Sequence, residues 1–345
     1  MTRTTPARPL DITAHFPELA PLARTAVRLH PRAGAPAVTD SSLGGPLLWP
    51  AGEPWPTCPE HAGPWHRGTA PEDVRLGRRV LRAAWARHRE GDAELLTEEE
   101  RAVVDRGRAR VRISVDGPLP LIPALQLRAA DVPELPRPAG TDLLQVLWCP
   151  FAHDPDHLPR VELRWRDSAG IGTPLAAPPR PAVIGDDGYL PEPCVLHPET
   201  VTEYPAPHEL PEELADRIEA WEEEREEEEG EEGVDGVDGV EVCYQFDLAV
   251  APGSKLGGHA PWSFSDPFPM ACAECGAGVR PLLTFDGAEW DGGSGSWRPL
   301  QDAAYTGLHF LGPALESALN FGRGYAMQLY ACEDSCDHPF VQNMQ

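Results

Sequence analysis

The sequence predicts an α+β protein that is mostly β-sheet and that contains two similar modules in tandem. Three observations lead to this fold class. Forty prolines in 345 residues disfavour long helices and favour short strands separated by turns. Strand-like apolar segments recur along the chain, for example at 143–150 and 242–250. A motif of glycines, tryptophan and paired Cys or His residues occurs twice, which indicates an internal repeat.

The repeated motif begins with Ser-x-Leu-Gly-Gly and ends with the Cys/His pair. Its two copies cover residues 41–63 and 254–278, and in both a tryptophan lies four residues after the second glycine. Each half of the chain then closes with a strand-like run in which a Gln precedes a Cys by four residues. These pairs are Gln145 with Cys149 and Gln328 with Cys332. We therefore predict two pseudo-symmetric modules, over residues 1–170 and 241–345.

The first module is predicted to contain a helical insertion at 71–110. Its sequence shows two Arg-rich amphipathic helices, and Thr97 with Glu100 matches a capping box. The connecting segment, 171–240, contains an acidic run at 222–239 that is too charged and too Gly-rich to bury a core. We interpret this run as a solvated tether, and the alternative is a clamp for a basic partner.

Short-spaced Cys and His pairs predict zinc sites, because one tight turn presents two ligands to a tetrahedral ion. The second module offers a four-cysteine set, for which His338 is the substitute if Cys336 points away. The first module offers a mixed set. The alternative to zinc binding is that the cysteines are reduced core thiols and the histidines are exposed surface residues. Four protein ligands predict structural Zn²⁺, as one ion or two, without an open position for catalysis. The predicted ligands are Cys272, Cys275, Cys332 and Cys336 in the second module, and Cys58, His61, Cys149 and His153 in the first.

Charge and hydropathy exclude several classes of partner. A net charge of −26 without clustered Lys and Arg argues against nucleic acid. The chain has no apolar run of about 20 residues, so we expect no membrane span. The N-terminus lacks the apolar stretch of a secretory signal, which predicts a cytoplasmic protein. In that compartment eight cysteines indicate thiols or metal ligands more than disulfides.

The two Leu-Gly-Gly loops also suggest a peptide-binding groove. In this interpretation tryptophans and prolines line the groove, and one Lys and one Asp lie at its rim. The alternative is that the aromatic rings are plugs buried over a small β core. The groove residues in the first interpretation are Trp49, Trp55, Lys255, Trp262 and Asp266.

The motif Ser-x-Leu-Gly-Gly-x-x-x-Trp, the segment Q-L-x-x-x-D-V-P-x-L at 126–135 and the closing strand resemble the YwqG-like family of bacterial proteins. The Leu-Gly-Gly-x-x-x-Trp signature followed by a cysteine knuckle is more distantly similar to the programmed-cell-death-two proteins, which are cytosolic chaperones for a newly made ribosomal protein. The likeness covers 41–160 and 240–345 and departs at the insertion. Neither resemblance implies a catalytic residue.

Together these features favour a non-enzymatic, zinc-stabilised module that binds a protein or peptide, as a chaperone or adaptor does. A basic partner would match the acidic run. One alternative is an enzyme with a site between the modules, using acidic residues near Trp290; another is an immunity or anti-toxin protein. The sequence contains no nucleophile-elbow, metalloprotease or phosphate-loop motif, so it favours a binding protein over an enzyme. The acidic residues of the enzyme alternative are Asp266, Asp286, Glu289 and Asp291.

Overall fold

A computed structural model describes residues 2–87, 94–154, 157–231, 242–262, 265–322 and 324–345. It shows an α+β protein in which sheet predominates, so the predicted α+β class with mostly β-sheet is confirmed. The α-helices are α1 (Ile12–His15), α2 (Pro71–Ala86), α3 (Glu98–Arg108) and α4 (Glu212–Glu231). The strand predicted at 242–250 is wrong: Tyr244–Ala249 forms a π-helical turn whose apolar residues pack in a core cluster with α1 and α4. The strands are β1 (Arg24–Arg28), β2 (Arg32–Ala33), β3 (Ser42–Leu43), β4 (Trp65–Gly68), β5 (Val111–Ser114), β6 (Ile122–Arg128), β7 (Leu143–His153), β8 (Leu158–Arg166), β9 (Cys194–Val195), β10 (Glu199–Glu203), β11 (Lys255–Gly257), β12 (Val279–Phe285), β13 (Met327–Cys332) and β14 (Val341–Met344).

The chain forms two compact units that are interleaved in sequence. The first unit comprises Pro31–Leu196 and Thr306–Gly324, and the second comprises Met1–His30, His197–Tyr305 and Tyr325–Gln345. The units therefore do not follow the contiguous ranges of the predicted modules. The N-terminal residues belong to the second unit because β1 pairs with β10 on one side and β11 on the other.

The first unit is built on a six-stranded antiparallel sheet in the order β2-β9-β3-β6-β7-β8. Its longest strand, β7, is buried continuously over its first eight residues, as expected for an apolar strand covered on both faces. Gln126 of β6 lies opposite Gln145 of β7, and the register shifts between Pro123 and Leu125. Strands β4 and β5 form a separate two-stranded ribbon.

The second unit also has a six-stranded antiparallel sheet, in the order β10-β1-β11-β12-β13-β14. Thr284 of β12 lies opposite Gln328 of β13, and the register shifts between Pro281 and Leu283. Both sheets thus contain a run of four strands that starts at a Leu-Gly-Gly strand. In each run the second strand has a register shift after a proline, and the third contains the cysteine predicted as a ligand.

The predicted insertion at 71–110 contains two antiparallel helices, α2 and α3. The capping box is present: the amide of Glu100 donates to the Thr97 hydroxyl at 3.2 Å, and the amide of Thr97 donates to the Glu100 carboxylate at 3.0 Å. The helices approach closely at Gly107, where an added Cβ would lie 2.7 Å from the carbonyl oxygen of Asp73. Arg78 fastens α2 to the unit by donating to the carbonyl of Leu190 at 2.8 Å.

The acidic run lies partly in α4. This helix is held at its N-terminal half, where Leu214 and Ile218 are buried against residues of the N-terminal segment. It continues to Glu231, and residues 232–239 of the run lie outside the described residues. Among the helices that the structure describes, none combines the length and apolarity that a bilayer span requires.

Candidate metal centres

The first unit brings Cys58, His61, Cys149 and His153 together. Cys58 precedes a 3-10 turn, Pro59–His61, and Cys149 and His153 lie on β7. Main-chain bonds hold the turn against the segment before β6: the amide of Cys58 donates to the carbonyl of Leu119 at 2.8 Å. A tight turn and a distant strand thus each supply two ligands.

The ligand atoms of this first centre have the separations of a small tetrahedral site. Sγ of Cys58 lies 3.3 Å from Nδ1 of His61 and 3.8 Å from Nε2 of His153. Sγ of Cys149 lies 3.5 Å from Nδ1 of His61. Zinc bond lengths of about 2.3 Å to sulfur and about 2.0–2.1 Å to nitrogen predict tetrahedral edges of about 3.3–3.8 Å. The geometry therefore suits a zinc-sized ion.

A carboxylate outside the ligand set orients one of these imidazoles. Nδ1 of His153 lies 2.9 Å from Oε2 of Glu60, and Oε1 of Glu60 accepts a bond from Arg160 at 3.3 Å. Because an ionised carboxylate only accepts, Nδ1 must carry a proton, and in the neutral ring the lone pair is then on Nε2, the nitrogen that faces Cys58. Outer carboxylates of this kind hold metal-binding histidines in the correct tautomer. Glu60 was not among the predicted site residues, although its position inside the Cys-Pro-Glu-His turn was a signal.

The two thiols of the first centre share one negative charge. The hydrogen bond from the Cys149 thiol, together with that from His61, lowers the pKa of Cys58 to about 4 although burial opposes this. The same bond and burial raise the pKa of Cys149. A bound cation would remove this inequality, because each coordinated thiol loses its proton.

The second unit brings Cys272, Cys275, Cys332 and His338 together. Sγ of Cys272 lies 3.6 Å from Nδ1 of His338, and the sulfur atoms of Cys275 and Cys332 are 3.5 Å apart. These separations also match tetrahedral edges, whereas a disulfide requires about 2.05 Å. The amide of Gly276 donates to the carbonyl of Cys272 at 2.9 Å and closes the turn that carries both cysteines. The φ of Gly276 is 75°, a conformation that glycine adopts without strain.

The fourth ligand of the second centre is His338, and not Cys336 as in the predicted four-cysteine set. The half-buried thiol of Cys336 is not in the group of ligand atoms. The chain reverses at Ser335, whose hydroxyl accepts from the amide of Asp337 and whose carbonyl accepts from the amide of His338. This turn carries the chain two residues beyond Cys336 before a side chain reaches the site. The second centre thus consists of three thiols and one imidazole.

Electrostatics in the second centre favour a thiolate beside the histidine. Burial opposes ionisation of Cys332, but hydrogen bonds from the amides of Asp334 and Ser335 and from His338 lower its pKa to about 7. The bonds to Cys332 and Cys272 raise the pKa of His338. Both shifts favour an ion pair between the Cys332 thiolate and the His338 imidazolium when no cation is bound.

The proposed peptide groove is not supported at its tryptophans. Trp49 is 1% exposed and Trp262 is 4% exposed, so neither ring forms the wall of a groove open to solvent. Trp55 is half-buried, packs 5.0 Å from Trp49 and donates to the carbonyl of Leu121 at 2.8 Å. Trp49 and Trp55 pack in a core cluster that contains Cys58. These rings are plugs in the core next to the first centre, as the alternative interpretation expected.

Lys255 does not lie at the rim of a peptide groove, where it was predicted. Its ammonium group is fully buried and makes three bonds: to both carboxylate oxygens of Glu203, at 2.6 and 2.8 Å, and to the carbonyl of His259 at 2.9 Å. Burial lowers the pKa of Lys255, and Glu203 opposes that shift. Asp266, in contrast, is exposed. Lys255 is therefore a core residue whose charge is fully compensated.

Three of the four acidic residues of the enzyme alternative have structural partners, and the fourth, Asp266, is exposed. Asp291 accepts from the amides of Gly293 and Ser294 and so closes a turn. Glu289 is buried, accepts from the amide of Ser254 at 3.1 Å and lies 3.3 Å from the ring of His30. Asp286 accepts from the amide of Ala288 at 3.0 Å, and burial raises its pKa to about 6. His30, which is fully buried between Glu289 and Glu199, was not among the predicted site residues, because no local pattern marks it.

Comparison with models of known protein families and with curated proteins finds no match to this chain.

Proposed function

We propose that this chain is a non-enzymatic binding module for a protein or peptide, of the chaperone or adaptor type, and that two structural zinc ions stabilise it. One observation carries the proposal: each unit gathers four Cys or His ligand atoms, all within 4.8 Å of one another, from a tight turn and a strand end. The resemblance to the YwqG-like and programmed-cell-death-two families belongs to the same proposal.

Zinc is the metal that these donors favour. Thiolate and imidazole together suit zinc, whereas calcium and magnesium take oxygen ligands. The first centre has two thiols and two imidazoles, and the second has three thiols and one imidazole. In both cases four protein ligands complete a tetrahedron, so the ion has no open position for a substrate or an activated water.

The position of each centre supports a structural role. In the first unit the centre joins residues 58–61 to 149–153, and in the second it joins 272–275 to 332–338. Each ion would therefore close a loop of more than fifty residues and tie a turn to the end of a central strand. Closure of such a loop restricts the unfolded chain and stabilises the folded one.

We also propose that the units arose by tandem duplication. The Leu-Gly-Gly strand, the strand with the register shift and the cysteine strand follow one another in the same order in both sheets. The residue opposite Gln145 is Gln126, and the residue opposite Gln328 is Thr284. Superposition of the two four-strand runs is the test: a match that also aligns the metal ligands would support a common origin, and unrelated paths between the strands would contradict it.

The test of the metal proposal is elemental analysis of protein purified without chelator. We expect two equivalents of zinc in the wild type and one in each of Cys58→Ser and Cys272→Ser. Cobalt substitution then separates a closed from an open site: the absorption of a closed tetrahedral centre does not change on addition of azide. Absence of zinc, or a spectrum that shifts with azide, would overturn the structural-zinc proposal.

A further inference from the structure

The ribbon formed by β4 and β5 presents an exposed face with an aromatic ring and two arginines. Trp65 is 50% exposed, and Arg67 and Arg112 are also exposed. Because side chains alternate along a strand, Trp65 and Arg67 share a face with Arg112 and Ser114, which lie opposite them. The other face carries Ile113, which packs on a core cluster of the first unit. The basic face is thus a surface on a ribbon that is anchored from below.

The two arginines form a like-charged pair. Arg67 lies directly opposite Arg112 in the ribbon, an arrangement that is destabilising when nothing compensates it. Neither guanidinium is ion-paired with any residue in the part of the chain that the structure covers. Arg112 lies over the ring of Trp65 at 4.9 Å, and Arg67 donates only to the carbonyl of Arg110 at 3.4 Å. The pair therefore places a local positive charge on the surface of a chain whose net charge is −26.

The first metal centre supports the base of this ribbon. The amide of Val115 donates to the carbonyl of Pro64 at 2.9 Å, and the amide of Leu119 donates to the carbonyl of His61 at 3.3 Å. The backbone pairing of β4 and β5 therefore continues toward the turn that carries Cys58 and His61. The ring of His66, on β4, lies 5.3 Å from the ring of His61. An ion in the first centre would hold the ribbon in place.

The geometry points to this face as the docking surface for an extended acidic segment of another protein. Alternate carboxylates of an extended chain point to the same side, so two of them can reach Arg67 and Arg112 while an apolar side chain covers Trp65. Nucleic acid is the less suitable ligand, because phosphate binding requires a longer track of cations. This inference rests on the proposed function, since it names the chemistry of the partner that the binding module recognises.

The experiment uses the full chain with zinc bound and fluorescence polarisation of a labelled peptide. The probe is a peptide of about twelve residues in which Glu alternates with Val, and a copy with Lys for Glu is the control peptide. The variant Arg67→Ala/Arg112→Ala removes the cationic pair, and Trp65→Ala removes the ring. The matched control is Arg79→Ala/Arg82→Ala, which removes the same charge from exposed positions on α2. Zinc content and melting temperature are measured for every variant.

We expect the Glu peptide to bind the wild type and the α2 control alike, and to bind the ribbon variant about tenfold or more weakly. Trp65→Ala should also weaken binding, and about 0.5 M salt should weaken it in the wild type. No binding to zinc-loaded wild type, or equal loss in the α2 control, would overturn the acidic-segment proposal without affecting the zinc proposal. Preferential binding of a single-stranded oligonucleotide over the peptide would also overturn it. If the purified wild type contains no zinc, that result would instead contradict the proposed function.

Discussion

Glu60 and His153 are joined by a 2.9 Å contact between a carboxylate oxygen and Nδ1, on a ring whose Nε2 lies 3.8 Å from Sγ of Cys58. The two nitrogens of the His153 imidazole thus have different roles. One donates to the carboxylate, and the other is free to coordinate an ion. This arrangement gives the first centre a dependence on a residue that is not itself a ligand.

Replacement of Glu60 should therefore weaken metal binding in the first centre alone. We predict that Glu60→Ala lowers its zinc affinity about 10–100-fold, because the ring loses the partner that fixes its tautomer. Glu60→Gln should retain part of the affinity, since its amide oxygen still accepts. Glu274→Ala is the control, because Glu274 is the corresponding residue of the second turn and is exposed. The measurement is chelator competition, with nitrogen NMR of His153 as the tautomer readout. Unchanged affinity and tautomer in Glu60→Ala would show that Glu60 does not orient the ring.

The identity of the fourth ligand in the second centre can be decided with two variants. We predict that His338→Ala loses the zinc of this centre, whereas Cys336→Ser keeps it, because Nδ1 of His338 lies 3.6 Å from Sγ of Cys272 and Cys336 is outside the group. Elemental analysis after dialysis against a mild chelator gives the answer. The reverse result would restore the set of four thiolates.

Removal of the buried ammonium group should destabilise the second unit strongly. We predict that Lys255→Met lowers the free energy of unfolding by about 3–5 kcal/mol, because it leaves the Glu203 carboxylate buried without its cation. Arg82→Met on the surface of α2 should change it by less than about 0.5 kcal/mol. Urea denaturation measures both variants. A loss below about 1 kcal/mol for Lys255→Met would mean that water reaches the carboxylate, contrary to the burial described above.

Asp286 should make stability depend on pH. Its pKa in the folded chain, about 6, is above its ordinary value of 3.8. At pH values between these two pKa values, the Asp286 carboxyl is mostly protonated in the folded chain and mostly ionised in the unfolded chain. The free energy of unfolding therefore falls as pH rises through this window and stays lower above it, by about 2–3 kcal/mol.

Asp286→Asn does not titrate and should lack this contribution. Relative to wild type, the variant should gain about 2–3 kcal/mol between about pH 4 and pH 7, measured by urea denaturation at constant free zinc. Comparison of the two proteins at each pH cancels the titration of the shared metal ligands. A constant difference across this range would show that the carboxyl of Asp286 is ionised throughout.

The acidic run should be dispensable beyond its first turn. We predict that deletion of 227–239 leaves the melting temperature unchanged within about 1 °C, because such a composition buries no apolar surface. Deletion from residue 222 should cost more, since Glu222 accepts a bond from the amide of Tyr244. Thermal unfolding followed by circular dichroism compares the two. Equal losses for both deletions would show that the distal part of the run is packed.

Local spacing accounts for the parts of the candidate sites that could be predicted. Cys58 and His61 lie three residues apart, as do Cys272 and Cys275, and such spacing allows one turn to present both ligands. The choice between Cys336 and His338 could not be made in this way, because both follow the strand end at distances that a turn can bridge. The hydrogen bonds at Ser335 decide it, and they depend on the conformation of that turn.

Long-range pairing accounts for what sequence reasoning missed. Lys255 is 52 residues from Glu203 in the chain, and no local pattern connects them. An isolated lysine beside Trp262 therefore looked like a rim residue, although an ion pair and a carbonyl allow it to be buried. The helix pair of the insertion was predictable for the opposite reason, since its amphipathic pattern and capping box are local signals.

The interleaving of the two units has a consequence for synthesis on the ribosome. Strand β1 ends at Arg28, but its neighbour β11 ends at Gly257. At about 5–20 residues per second, synthesis of the residues between β1 and the end of β11 takes on the order of 10–50 s. Until β10 is synthesised both edges of β1 lack their partners, and the edge that pairs with β11 lacks its partner for the whole interval. Long-range pairing of this kind also slows folding after release. Nascent chains of this protein should therefore depend on a chaperone that covers residues 24–28 until the second half is translated.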